Sequence, residues 1–78
     1  MMIPVKKCRP GMRYHALDRE RVDKYRAMLR AGLVAPPINV EAVASGNYFL
    51  ISEGMHRVES SIREGREFID ATVKEYQP

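Results

Sequence analysis

The chain has 78 residues, 45% of them hydrophobic and 29% charged, with a formal net charge of +3; this is the size of one small domain with an ordinary globular composition, not a disordered or fibrous chain. Its single cysteine, Cys8, permits no internal disulfide, no Cys/His set has zinc-site spacing, and no run approaches a membrane span or a signal-peptide core. The expectation is therefore one cytoplasmic domain, residues 1–78, without a structural metal and without a membrane partner. The basic excess suits nucleic acid or a nucleotide, but acidic residues are interspersed throughout and no basic block stands apart.

In chain order, Ile3-Pro4-Val5-Lys6-Lys7-Cys8 predicts a first strand, placed at a sheet edge because Pro4 has no N–H to give a ladder. Arg9-Pro10-Gly11 ends it. Asp18 predicts the N-cap of a helix running to about Ala31, with Val22, Tyr25 and Leu29 recurring on one face. Gly32 stops that helix, and Leu33 beyond it folds back towards Met28. Pro36-Pro37 forbids any continuation and leads into a strand over 38–43. Ser45-Gly46-Asn47 then marks a hairpin turn before a second apolar strand over 48–51. A second helix, beginning within a residue or two of Met55 and running through 58–64, is closed by Gly65, and alternation of Ile69, Ala71 and Val73 with Asp70, Thr72 and Lys74 predicts a final strand. The fold class is α+β: a small mixed sheet with two helices, in β-α-β-β-α-β order.

Where the 48–51 strand turns into the second helix stands Glu53-Gly54-Met55-His56-Arg57. Cations in a first helical turn oppose the macrodipole, at a cost of up to roughly 1 kcal/mol. Free backbone N–H groups beside an imidazole and a guanidinium suit a phosphate, so the stretch describes an anion pocket. The alternative is that both side chains splay into solvent. Glu53 has two readings as well: a carboxylate that orients water or holds a divalent ion beside phosphates, or an acid that simply interacts with the helix dipole.

Cys8-Arg9-Pro10, Leu17-Asp18-x-x-Arg21-Val22, Pro36-Pro37-Ile38-x-Val40, Gly46-x-Tyr48-Phe49 and Gly54-x-His56-Arg57 occur in the order found in the ParB/sulfiredoxin superfamily, and the resemblance covers nearly the whole chain. It implies that Arg9, His56 and Arg57 gather around nucleotide phosphates. Arg21 matches a lysine that faces the nucleotide in sulfiredoxin, so the charge is kept while a bidentate fork replaces a point charge. Lys24 and Met28 stand where sulfiredoxins carry hydroxyl residues near the nucleotide. Met55 occupies the place of the sulfiredoxin cysteine, and a thioether supplies no thiolate for sulfinic acid reduction. Cys8 reads as a packed small hydrophobe rather than a replacement nucleophile.

The resemblance thus implies a nucleotide- or phosphate-binding domain with Arg9, Arg21, Gly54, His56 and Arg57 at the site. Glu53 is the catalytic candidate, as an NTPase or nuclease group, with ATP or CTP as ligand, Mg²⁺ as an accessory ion and sulfinic acid reduction ruled out by Met55. Two alternatives stay open: a DNA-associated ParB-like nuclease module using Arg9, Arg13 and Arg21 as phosphate contacts, and a catalytically silent phage or plasmid protein that binds a host protein. His15, in the Met12-Arg13-Tyr14-His15 loop, reads as a surface group.

Overall fold

The computed structural model describes residues 1–11 and 16–75, so Arg13 and His15 lie outside the described residues. Five strands, β1 (Met2–Pro4), β2 (Cys8–Arg9), β3 (Ile38–Ala42), β4 (Tyr48–Leu50) and β5 (Phe68–Glu75), and two helices, α1 (Arg19–Arg30) and α2 (Met55–Arg63), make up the fold. The sheet order is β1-β5-β3-β4-β2. Pairing is antiparallel for β1 with β5 and for β3 with β4, and parallel for β3 with β5 and for β2 with β4, so the sheet is mixed. Pro4 does lie on an edge strand.

One expected element is divided. The 3–8 stretch is not a single strand, because a 3-10 turn over Val5–Lys7 separates β1 from β2. The physical reason lies in the topology: β1 and β2 are neighbours in the chain but opposite edges of the sheet. A continuous strand cannot reach both edges, whereas a tight turn at Val5, whose N–H donates to the Glu67 carbonyl (3.0 Å), redirects the chain across the curl of the sheet.

Local chemistry explains the other boundaries. Asp18 caps α1, its carboxylate accepting from the Glu20 N–H at 3.0 Å. The helix closes with the Leu33 N–H on the Met28 carbonyl (2.9 Å) and Gly32 at φ +75°, a paired 6→1 closure that a left-handed residue makes possible. Gly46, at φ +89°, makes the β3–β4 hairpin turn.

The core is small and contiguous: Ile3, Cys8, Ile38, Val40, Leu50, Val58 and Ala71, flanked by half-buried Tyr48, Met55, Ile69 and Val73. The alternation of β3 is visible in it, since Ile38 and Val40 are fully buried while Asn39 faces out. Cys8 is buried in this cluster, and burial pushes its thiol up against the opposing pull of Arg9, so it remains protonated and unreactive at neutral pH.

The helices meet through polar groups. Glu64, with only 11% of its side chain exposed, accepts from Arg30 Nε at 2.7 Å and Arg26 Nε at 2.8 Å, tying the end of α2 to α1. The hydrogen bonds from Arg30 and then Arg26 outweigh desolvation and hold the Glu64 carboxyl below its ordinary value. A carboxyl depressed in the folded state contributes stability that is complete above its unfolded pKa of about 4.3 and is lost as pH falls through the folded value. The melting temperature should therefore be flat near neutrality and drop below about pH 4.5, and Glu64→Gln should shrink that drop, as followed by circular dichroism melts across pH.

Candidate functional site

Three chain segments meet at the start of α2. Because β2 and β4 run parallel, with Cys8 opposite Tyr48 and Arg9 opposite Phe49, both strands deliver their following loops to the same end of the sheet. The loop after β2 packs directly on the end of β4: a Cβ on Gly11 would overlap the Leu50 carbonyl oxygen. Gly54, the N-cap of α2, is equally confined, since a Cβ there would stand 2.9 Å from Leu50 Cδ2 and 3.0 Å from Ile38 Cγ2. The third segment is the first turn of α1, which brings Arg21 to Glu53, NH2 to Oε2 at 3.2 Å.

Gly54, the N-cap, brings no side chain of its own to the open end of the helix. The nearest substitute is the Glu53 carboxylate, whose Oε1 lies 3.5 Å from the His56 backbone nitrogen and 2.5 Å from His56 Nδ1. Burial raises the Glu53 carboxyl, but the hydrogen bonds from the His56 ring and backbone, with the Arg21 charge beside it, outweigh that and leave it below its ordinary value. Glu53 is accordingly a carboxylate at neutral pH.

His56 is 4% exposed, and its ring is used on both nitrogens. Nε2 accepts from the Asp18 N–H at 2.8 Å, so the ring proton must sit on Nδ1, where it faces Glu53. The same residue that caps α1 thus anchors the histidine of α2. Ser60, one turn further along α2 and fully buried, extends the seam: its Oγ lies 2.9 Å from the Val22 carbonyl and 2.5 Å from the His56 carbonyl, donating to one at a time.

The arginines divide. Arg57 reaches sideways, NH1 donating to the Pro36 and Pro37 carbonyls (2.8 and 3.0 Å) and NH2 to the Glu53 carbonyl (2.8 Å), while its buried Nε has no partner among the described residues. It ties the double-proline segment to the turn before α2. Arg9 is exposed and donates to its own neighbours, the Lys6 carbonyl at 2.6 Å and the Cys8 carbonyl at 3.0 Å. Of the expected site residues, Arg21, Glu53 and His56 stand together through direct contacts, with Gly54 between the last two in the chain. Arg9 ends β2 with its guanidinium turned back to the Lys6 and Cys8 carbonyls, and the Arg57 guanidinium is held by the Pro36, Pro37 and Glu53 carbonyls.

Lys24 and Met28 follow Arg21 at helical spacing and so share its side of α1. Met55 packs half-buried against the core. Sequence reading missed the role of Asp18 as backbone donor to His56 and that of Pro36 and Pro37 as acceptors for Arg57. Neither leaves a sequence signal, because both use main-chain atoms. Among the described residues no group of three His, Cys, Asp or Glu side chains is placed to hold a metal, and no helix is long and apolar enough to cross a membrane.

No protein-family model and no curated protein sequence matches the chain. Solved structures do. Sulfiredoxin from Arabidopsis thaliana is 28% identical with a TM-score of 0.77, over 97% of this chain and 86% of that one. The C-terminally truncated chromosome-partitioning protein ParB from Caulobacter crescentus, complexed with CTP-gamma-S, is 18% identical with a TM-score of 0.79, over 99% of this chain but only 44% of that one. A free serine kinase in complex with AMP is 14% identical with a TM-score of 0.78, over 95% of this chain and 30% of that one. These structures match nearly the whole length of the chain, and its curled mixed sheet with two helices is the ParB/sulfiredoxin-like fold.

Proposed function

We propose that this chain binds the phosphates of a nucleotide at the N-terminus of α2. The observation that carries this reading is the parallel pairing of β2 with β4, which sets Gly11 against the Leu50 carbonyl at the end of β4, at the same sheet end from which the chain turns through Glu53-Gly54 into α2. Backbone N–H groups of the first turn of α2 meet the phosphate oxygens, and Arg9 and Arg21 add charge from two flanking segments. His56 and Arg57 hold the shape of the turn from its inner and outer sides. Similar folds that hold CTP-gamma-S and AMP support a nucleotide, ATP or CTP, as the ligand class, with Mg²⁺ as its ordinary escort.

Calorimetric titration with ATP, CTP and a short DNA duplex tests the proposal. One nucleotide should saturate a single site, and Arg21→Ala should weaken it by roughly one to two orders of magnitude, the equivalent of one charge-assisted hydrogen bond. Arg63→Ala is the control, because Arg63 lies at the far end of α2 and pairs with Glu59 at 2.8 Å. Equal losses in both variants, or no nucleotide binding at all, would count against a defined pocket. DNA should bind only weakly, with an affinity that falls steeply as salt rises.

The same site excludes sulfinic acid reduction in this proposal. Position 55 carries a thioether packed on the core, and the one thiol, Cys8, is buried with its pKa raised. The protein should show no ATP-dependent reduction of a sulfinylated peroxiredoxin, and Met55→Cys alone should not restore it, because Lys24 and Met28 still replace the hydroxyl pair; robust turnover by wild type in a phosphate-release assay would refute this.

One observation favours a second reading, in which the domain acts by binding another protein. Exposed Met2, Leu33, Val34 and Phe68 rim a groove of about 370 Å³ with Arg57 and Arg66 among its lining residues, a surface suited to an acidic, apolar segment of a partner.

A further inference from the structure

The groups proposed to receive a ligand phosphate are already holding an anion. Glu53 Oε1 takes the Nδ1 proton of His56 and faces the His56 backbone N–H, while Oε2 takes a hydrogen bond from Arg21. Helix N-terminus, imidazole N–H and guanidinium thus converge on one carboxylate, which belongs to the residue just before the N-cap. Glu53 is held by these contacts but not locked in: its side chain keeps 34% of its exposure and that of Arg21 keeps 48%, so both can turn outward into water.

We infer that Glu53 is the built-in anion of this site, and that ligand phosphate binds by taking its place. The inference rests on the phosphate site proposed above and adds how that site is regulated. It also gives His56 a defined part. Its Nε2 is committed to Asp18 in both states, so the ring does not move, and the Nδ1 proton released by Glu53 is the donor that a phosphate oxygen receives. Arg21 is handed over in the same way. The exchange leaves none of the turn's donors without an anionic acceptor, because phosphate oxygens enter as the carboxylate withdraws into water. The cost is that every ligand must displace an internal competitor, which lowers the apparent affinity of the site by the fraction of time Glu53 occupies it.

The test removes the competing charge while keeping the shape. Wild type, Glu53→Gln and Glu59→Gln are titrated with inorganic pyrophosphate, ATP and CTP by calorimetry in EDTA, so that no divalent cation can bridge carboxylate and phosphate. Glu59 is the control acid because it lies on the same helix, paired to Arg63 and away from the turn. Glu53→Gln should bind about five- to tenfold more tightly than wild type, and Glu59→Gln should match wild type. If wild type binds and Glu53→Gln binds equally or more weakly, displacement is wrong while the phosphate site stands. Absence of binding by all three folded proteins removes the phosphate site and this inference together. Binding by Glu53→Gln alone supports both, with Glu53 as a strong competitor.

Discussion

Replacing His56 by alanine should lower the stability of this protein by about 3 kcal/mol, the combined scale of a core truncation and of buried polar groups left without partners. The residue is 4% exposed, and two partners on separate segments depend on its ring. Its Nε2 receives the Asp18 N–H at the start of α1, and its Nδ1 holds Glu53 before α2. Alanine leaves a void between the helices, an unpaired N–H at Asp18 and a carboxylate facing it. His56→Asn is the informative companion, because its amide can address only one of the two partners and should recover part of the loss. Urea unfolding of the three proteins measures it; a change below about 1 kcal/mol for His56→Ala would mean that the seam between α1 and α2 is not built on this ring.

Gly11→Ala should be of comparable size for a different reason. The new methyl would overlap the carbonyl oxygen of Leu50, a main-chain atom at the end of β4 that no side-chain rotation can move aside. Either the loop after β2 or the end of β4 must shift, at a cost of about 2–3 kcal/mol by the measure of overpacked sites. Because that contact seats the segment after Arg9 on the end of β4, from which the chain turns into α2, the variant should lose nucleotide affinity more than its stability loss alone explains. Gly32→Ala is the contrasting case: apart from its chain neighbours, no atom of the described residues lies within 4 Å of its Cβ position, so its penalty comes from φ +75°. Comparing melting and binding for the two separates crowding at the site from backbone strain far from it.

Much of the fold was legible because it is written in short-range chemistry. Asp18, Gly32, the proline pair and Gly46 each act within a few residues of their position, and each marks the boundary it was expected to mark. The onset of α2 at Met55 followed from the shift of pattern after the 48–51 run. The break between β1 and β2 was not legible, since Val5-Lys6-Lys7 has nothing against a strand; what interrupts it is the need to carry the chain from one sheet edge to the other. Similarly, the pentapeptide at 53–57 announced a turn with cations in it but not where the cations point. The partners that aim them, Asp18 for His56 and Pro36 and Pro37 for Arg57, are main-chain groups 20 to 38 residues away. Position in the sequence indicates which residues reach the turn, and the contacts decide which of them shape it and which remain available to a ligand.

The central claim, a phosphate site where β2, α1 and α2 meet, is tested most directly by following backbone amide resonances during titration with CTP and with ATP. The account predicts that the largest shifts fall on Met55, His56 and Arg57 in the first turn of α2, with smaller ones at Arg9, Gly11 and Arg21, and little change around Leu33, Val34 and Phe68. Shifts centred on Leu33, Val34 and Phe68, or none at any residue up to millimolar nucleotide, would contradict it.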